Sequence, residues 1–145
     1  MAPLTHGRET PRREGEVRFG PAAAGAVFFQ GGIVMRDAAG NLLHGQTVTG
    51  AIGVGVTLQA SDNSGGIAGA FTHEYRPGRF LFNNSSGADE ITAANIGAMA
   101  FVVDDQTVAL TNGGNARSPA GTVEDVDAQG VWIVFNEALT RAALA

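Results

Sequence analysis

Cysteine is absent from this 145-residue chain, so disulfides, thiolate metal sites and cysteine nucleophiles are all excluded. Lysine is absent too. All nine basic residues are arginine, which removes the P-loop lysine, Schiff-base chemistry and any lysine general base. Charged residues make up only 16% of the chain and the net charge is −5, so bulk attraction for phosphate backbones is missing and no nucleic-acid partner is expected. Long hydrophobic runs are also missing. The longest, Pro21 to Phe29, falls well short of the roughly 20 residues that span a bilayer, so no membrane partner is expected. Residues 1 to 15 are polar and contain proline where a secretory signal needs an apolar stretch, which predicts a soluble product made in the cytoplasm.

What the chain has instead is glycine, 21 residues of it, together with abundant alanine. That composition suits strands joined by tight turns better than amphipathic helices. A chain of this length has room for one domain with one core, and area scaling gives about 7,000 Å² of accessible surface when folded.

Three regions are expected. Residues 1–16, MAPLTHGRETPRREGE, hold almost no apolar side chain to bury and read as an extended N-terminal arm, ordered on a partner if at all. Residues 17–135 read as a β-domain. Residues 136–145 read as a C-terminal tail or short alanine-rich helix.

Within the β-domain, short apolar runs alternate with turn signals. Asp37 to Asn41 supplies glycine and asparagine for a turn between two strands. Thr47 to Leu58 alternates β-branched residues with glycine, as expected of a strand packed closely on neighbouring backbone. Ala70–Tyr75 and Arg79–Phe82 flank Pro77-Gly78 and predict a hairpin. Thr92 is placed to cap a short helical turn that Gly97 ends, and Asn112 to Asn115 marks another turn. Ala120–Val126 and Val131–Phe135 are predicted to pair across Asp127 to Gly130. In the last of these strands Val131, Ile133 and Phe135 share one face while Trp132 and Val134 share the other, so the second face is a candidate interface. About eight short strands with turns between them predict an all-β fold: a small antiparallel β-barrel or sandwich with one short helical turn.

Chemistry-bearing residues are sparse. Asp125 to Gly130 matches the start of an EF-hand loop, but the closing position is Asn136 and the residues between read as a strand, so a hairpin turn is expected and no metal. Asp104 and Asp105 are neighbours on extended chain and point to opposite faces, so turn capping or a salt bridge to Arg117 is the expectation. His6, His44 and His73 lack metal-ligand spacing and are expected at the surface or an interface. Serines 61, 64, 85, 86 and 118 lie outside any nucleophile-elbow motif, and Gly53-Val54-Gly55 is no dinucleotide loop. No catalytic residue and no cofactor is therefore expected. Arg8, Arg12 and Arg13, interleaved with Glu9, Glu14 and Glu16, make a nearly neutral arm suited to ion pairing with a protein.

The run GRFLFNNSSGADEITAANIGAMAFVVDDQTVALTNGGNARSPAGTVEDVDAQGVWIVF, residues 78–135, resembles the tailed-phage capsid cement, or head decoration, proteins. The likeness lies in the order of its parts. A strand ends in Asn and Gly, then come an IT-x-A-x-I-G turn, an aromatic-Val-Val-Asp-Asp-x-Thr-Val segment, an Arg-Ser-x-Ala-Gly turn and a closing Gly-Val-Trp-Ile. The segment GVGVTLQASDNSGG extends it, so the likeness covers roughly residues 25–135. The resemblance implies a non-enzymatic virion structural protein on the outer surface of the assembled head, bound to the major capsid protein as a homotrimer. Arg8, Arg12 and Arg13 would then be capsid contacts, and Trp132 and Val134 a trimer interface. The alternative class is a receptor- or carbohydrate-binding virion module from the tail, using the loops Ser61 to Gly66 and Asn83 to Gly87. A small hydrolase built on Asp104 or Asp105 is a remote third.

Overall fold

The computed structural model describes residues 2–144, so Met1 of the arm and Ala145 of the tail lie outside it. Twelve strands follow one another along the chain: β1 (Arg18–Pro21), β2 (Val27–Phe28), β3 (Ile33–Arg36), β4 (Leu42–His44), β5 (Ile52–Thr57), β6 (Ser61–Asp62), β7 (Thr72–Arg76), β8 (Arg79–Phe82), β9 (Met99–Val102), β10 (Val108–Ala109), β11 (Pro119–Asp127) and β12 (Gly130–Val134). Two 3-10 turns, Gly87–Asp89 and Ala93–Asn95, and one helix, α1 (Glu137–Ala142), complete the elements. None of these helices is long and apolar enough to cross a membrane.

The strands form two antiparallel five-stranded sheets, in the orders β1-β7-β5-β3-β4 and β10-β9-β11-β12-β8, and a two-stranded ribbon, β2-β6. The result is sandwich-like and not a closed barrel. Each sheet nevertheless curls, since a single bridge from Ala22 to Leu42 joins the margins of the first and one from Asn83 to Thr107 joins those of the second.

Two apolar clusters result. One lies between the sheets and gathers Ile33 and Met35 with Val102, Val123, Val131, Ile133 and Phe135. The other lies inside the curl of the first sheet, around Phe28, Val34, Leu42, Ile52 and Val54. Strand β3 feeds both because successive side chains point to opposite faces: Ile33 and Met35 go one way, Val34 the other. Each fully buried aliphatic side chain contributes roughly 1.5–3 kcal/mol.

The glycines of β5 have the use their spacing predicts. A Cβ on Gly53 would lie 2.3 Å from the Ala120 carbonyl oxygen, so here the two sheets meet backbone against backbone. The strand itself is shorter than its pattern. Residues 47–51 are loop, held by Thr47 Oγ1 donating to the Val103 carbonyl at 2.8 Å and by Ser118 Oγ, which accepts from Ala51 N–H at 3.2 Å.

The turn at Asp37 to Asn41 forms as expected, with the Asp37 carboxylate accepting from the amides of Ala39 and Asn41. So does the β11-β12 hairpin, with Val131, Ile133 and Phe135 buried and Trp132 and Val134 on the other face. The hairpin predicted across Pro77-Gly78 does not form. β7 pairs with β1 and β5, whereas β8 pairs with β12 in the other sheet. Phe82 joins the inter-sheet core and Phe80 packs against it, so burial carries the chain across at Gly78 (φ +142°) rather than back along β7. A second helical turn, Gly87–Asp89, lies beyond the single one predicted. Thr92 and Asn95 form a capping box there, in which the Asn95 side-chain oxygen accepts from the Thr92 amide at 2.8 Å and from its hydroxyl at 3.1 Å.

Total accessible surface is 8189 Å², above the area expected for a compact chain of this mass. The excess fits residues 2–16, all exposed and without strand or helix.

Candidate functional site

The arm joins the body where Gly15 takes a left-handed φ of +89° and Arg18 donates to the Gly15 carbonyl at 2.9 Å. Arg76 Nε lies 3.5 Å from Glu16 Oε2 and makes no hydrogen bond there, a loose latch on an exposed carboxylate. Of the three arginines singled out in the arm, Arg12 pairs with Glu14, and Arg8 and Arg13 make no ion pair among the described residues. All three guanidinium groups face solvent. Leu4, the only large apolar side chain among the described residues of the arm, is 69% exposed.

Trp132 and Val134 lie on the side of β12 away from the core. Their neighbours across the β8 ladder are Leu81 and Arg79. Leu81, Trp132 and Val134 are half-buried and join neither core cluster. The indole is held in place, since Trp132 Nε1 donates to Asp127 Oδ2 at 3.1 Å. That bond, followed by the amides of Gln129 and Gly130, holds the Asp127 carboxyl below the usual carboxylate range. Asp127 is thus committed to closing a hairpin and pinning a tryptophan. Among the described residues no group of His, Asp and Glu side chains is arranged to hold a metal.

Asp104 caps a turn, accepting from the Gln106 amide at 2.9 Å, as expected. The salt bridge from Asp104 or Asp105 to Arg117 does not form. Arg117 instead donates to Asp89 at 3.2 Å and to the Thr111 carbonyl at 3.1 Å. Thr111 Oγ1 and then Arg117 hold the Asp89 carboxyl below its ordinary value. The 3-10 turn Gly87–Asp89 delivers Asp89 there, and the sequence carries no local sign of it.

His73 is not at the surface. It is 3% exposed, with Ser61 Oγ 2.9 Å from Nδ1 and Thr57 Oγ1 3.2 Å from Nε2. Burial pushes its pKa down to about 4. A Ser-His pair of this kind looks like a nucleophile and its base, but an imidazole that sheds its proton so readily is a poor acceptor for a serine hydroxyl. The contact ties the β2-β6 ribbon to β7.

Sequence inspection also missed a closed polar triangle. Arg36 Nε donates to Glu137 at 2.6 Å, Arg36 NH2 to Tyr75 Oη at 2.8 Å, and Tyr75 Oη to the other Glu137 oxygen at 3.2 Å. Burial alone would lower the Arg36 pKa; the Glu137 carboxylate more than offsets it and raises it. Burial and then the same carboxylate raise the Tyr75 pKa. Asn136 caps α1 by accepting from the Leu139 amide at 3.0 Å, which sets Glu137 in the first turn facing Arg36. The triangle clamps the C-terminal helix to the first sheet. Comparison with protein-family models, with curated proteins and with solved structures finds no match.

Proposed function

We propose that this protein is a virion structural protein that decorates and stabilises the exterior of an assembled phage head by bridging major capsid protein subunits. One observation carries the proposal: a body with its own buried cores bears an arm whose residues 2–16 are all exposed and bury nothing of their own. Such an arm gains contacts only from a partner. Sixteen extended residues reach about 50 Å, enough to cross from one capsid subunit to the next. The guanidinium groups of Arg8, Arg12 and Arg13 are suited to bidentate pairing with capsid carboxylates. A protein that binds only the assembled shell stabilises it by mass action, with no catalytic step. The run resembling cement proteins, residues 78–135, spans the whole second sheet from β8 to β12. The net charge of −5 suits an exterior position better than contact with packaged DNA.

The same reading takes the functional unit to be a homotrimer with Trp132 and Val134 at the contact between copies. A half-buried indole fixed by hydrogen bonding is a suitable anchor for such a contact. Native mass spectrometry reads the trimer directly, and a monomeric mass together with monomers on the particle would end that part of the reading.

The test of function mixes purified protein with undecorated expanded heads and images them. Added density on the outer surface is the expected result. Absence of binding to heads, with binding to host cells instead, would replace the proposal with the receptor-binding alternative.

A further inference from the structure

Phe29 is a large aromatic side chain that neither core uses. It follows β2, where Phe28 turns inward against His73, so alternation sends Phe29 outward and leaves it 63% exposed. The turn that follows it is held by three backbone bonds. The Gly32 amide donates to the Phe29 carbonyl at 2.9 Å, the Gly31 amide to the Thr57 carbonyl at 2.9 Å, and the Ile33 amide to the Asp105 carbonyl at 2.8 Å. The turn is also tight: a Cβ on Gly32 would lie 3.1 Å from the Phe29 carbonyl oxygen and 3.4 Å from Asp105 Cβ. A ring presented on a fixed turn costs little to order when a partner arrives.

Phe29 lines two surface clefts. One, of about 320 Å³, has Val27, Ala60 and Asp62 on its other sides. The second, of about 200 Å³, is bounded by Gly32, Asp105 and Gln106. Each cleft therefore holds one carboxylate, and neither Asp62 nor Asp105 has a cationic partner among the described residues.

We propose that Phe29 and its two flanking clefts form a docking site for an arginine-bearing extended segment of another protein. An apolar side chain of the segment fills the larger cleft, and a guanidinium lies over the Phe29 ring facing Asp105. The charge pattern selects this occupant. A planar guanidinium is attracted by the face of an aromatic ring and by a carboxylate beside it, and Phe29 and Asp105 offer both within one cleft. An acidic segment would meet Asp62 and Asp105 with like charge. Two clefts on either side of one ring also suit alternate side chains of extended chain, which project at a regular two-residue spacing. The site is separate from the arm and from the Trp132 face, and its test involves no heads, so it stands or falls apart from the decoration reading.

The test uses the full-length protein, isotope-labelled for NMR, titrated with a blocked hexapeptide of sequence Leu-Ser-Arg-Ser-Leu-Ser, which puts leucine and arginine two residues apart on one face. A counterpart carrying glutamate in place of arginine is the control. The arginine peptide should perturb amides at residues 27–32, 60–62 and 105–106. Its affinity should fall about tenfold in Phe29→Ala and in Asp105→Asn with melting temperatures unchanged, and the glutamate peptide should not bind. Perturbation elsewhere, equal affinity in both variants or binding of the glutamate peptide would overturn the site. A third probe is the synthetic peptide of residues 1–16: if it binds there more tightly than the hexapeptide, the occupant is a second copy of this chain and the assignment to another protein is overturned.

Discussion

The imidazole of His73 lies flat on the ring of Phe28, with centroids 3.6 Å apart and planes 13° from parallel. Stacking and burial both belong to the neutral ring, and its pKa is about 4 in the folded protein against 6.5 when free. As pH falls below 6.5 the unfolded chain binds a proton that the folded chain refuses until about pH 4. The stabilisation is therefore complete above pH 6.5 and lost progressively down to about 4, on the order of 3 kcal/mol in all. Urea unfolding at several pH values should show this decline, and His73→Phe, which keeps a stacked ring, should flatten it. An equal slope in the variant would mean that His73 takes up its proton in place.

Gly53 is where the two sheets touch through their backbones. Gly53→Ala would put a methyl group 2.3 Å from the Ala120 carbonyl oxygen and 2.8 Å from Ala120 Cα, atoms that no rotamer change can move. A loss of about 3 kcal/mol or more is expected in chemical denaturation. Gly65→Ala is the control, because nothing lies within 4 Å of that position, and it should stay within about 0.5 kcal/mol of the parent.

The Arg36, Tyr75 and Glu137 triangle should behave as one unit. Glu137→Gln and Tyr75→Phe are each expected to cost about 1–2 kcal/mol, by weakening a charge-assisted bond or by deleting the shared hydroxyl. In the double variant the losses should fall short of their sum. Strict additivity would show that the three groups do not cooperate.

Calcium should leave the melting temperature where it is, and so should a chelator. Asp127 already accepts from two backbone amides and the Trp132 indole, and of the positions that would complete an ion-binding loop, Val131 to Val134 are in β12 and Asn136 caps α1. A rise of several degrees with calcium would contradict this account of the hairpin.

Deleting residues 1–16 should spare the β-domain and weaken attachment to heads. Among the described residues the arm is tied to the body at its margin, by the Glu16 latch and the Arg18 bond to Gly15. Thermal melting and occupancy on purified heads separate the two effects. Unchanged occupancy would demote the arm to a passive tail, and a collapsed melting transition would make it part of the fold.

Much of the architecture was legible from short stretches of chain. Alternation in Val131 to Phe135 identified a strand and its buried face, the glycines of β5 identified a close backbone approach, and Asp37 to Asn41 and Asp127 to Gly130 identified turns. These signals act over a few residues, through φ preference, pleat and side-chain hydrogen bonding to nearby amides. The exposure of the arm belongs to the same class, because a segment with almost nothing apolar has nothing to bury.

Partner choice was not legible. Pro77-Gly78 looks like a hairpin turn because turn chemistry is the same whether a chain doubles back or crosses to another sheet. Only the competing burial of Phe80 and Phe82 beside β12 decides between them. Arg36 meets Tyr75 across 39 residues of sequence and Glu137 across 101, and Arg117 finds Asp89 rather than Asp104 or Asp105. His73 is buried because the β2-β6 ribbon closes over it, not because of anything beside it in the chain. Local sequence determines which conformations are cheap; which cheap segments come together depends on the burial they achieve jointly, and that appears only when the whole chain has folded.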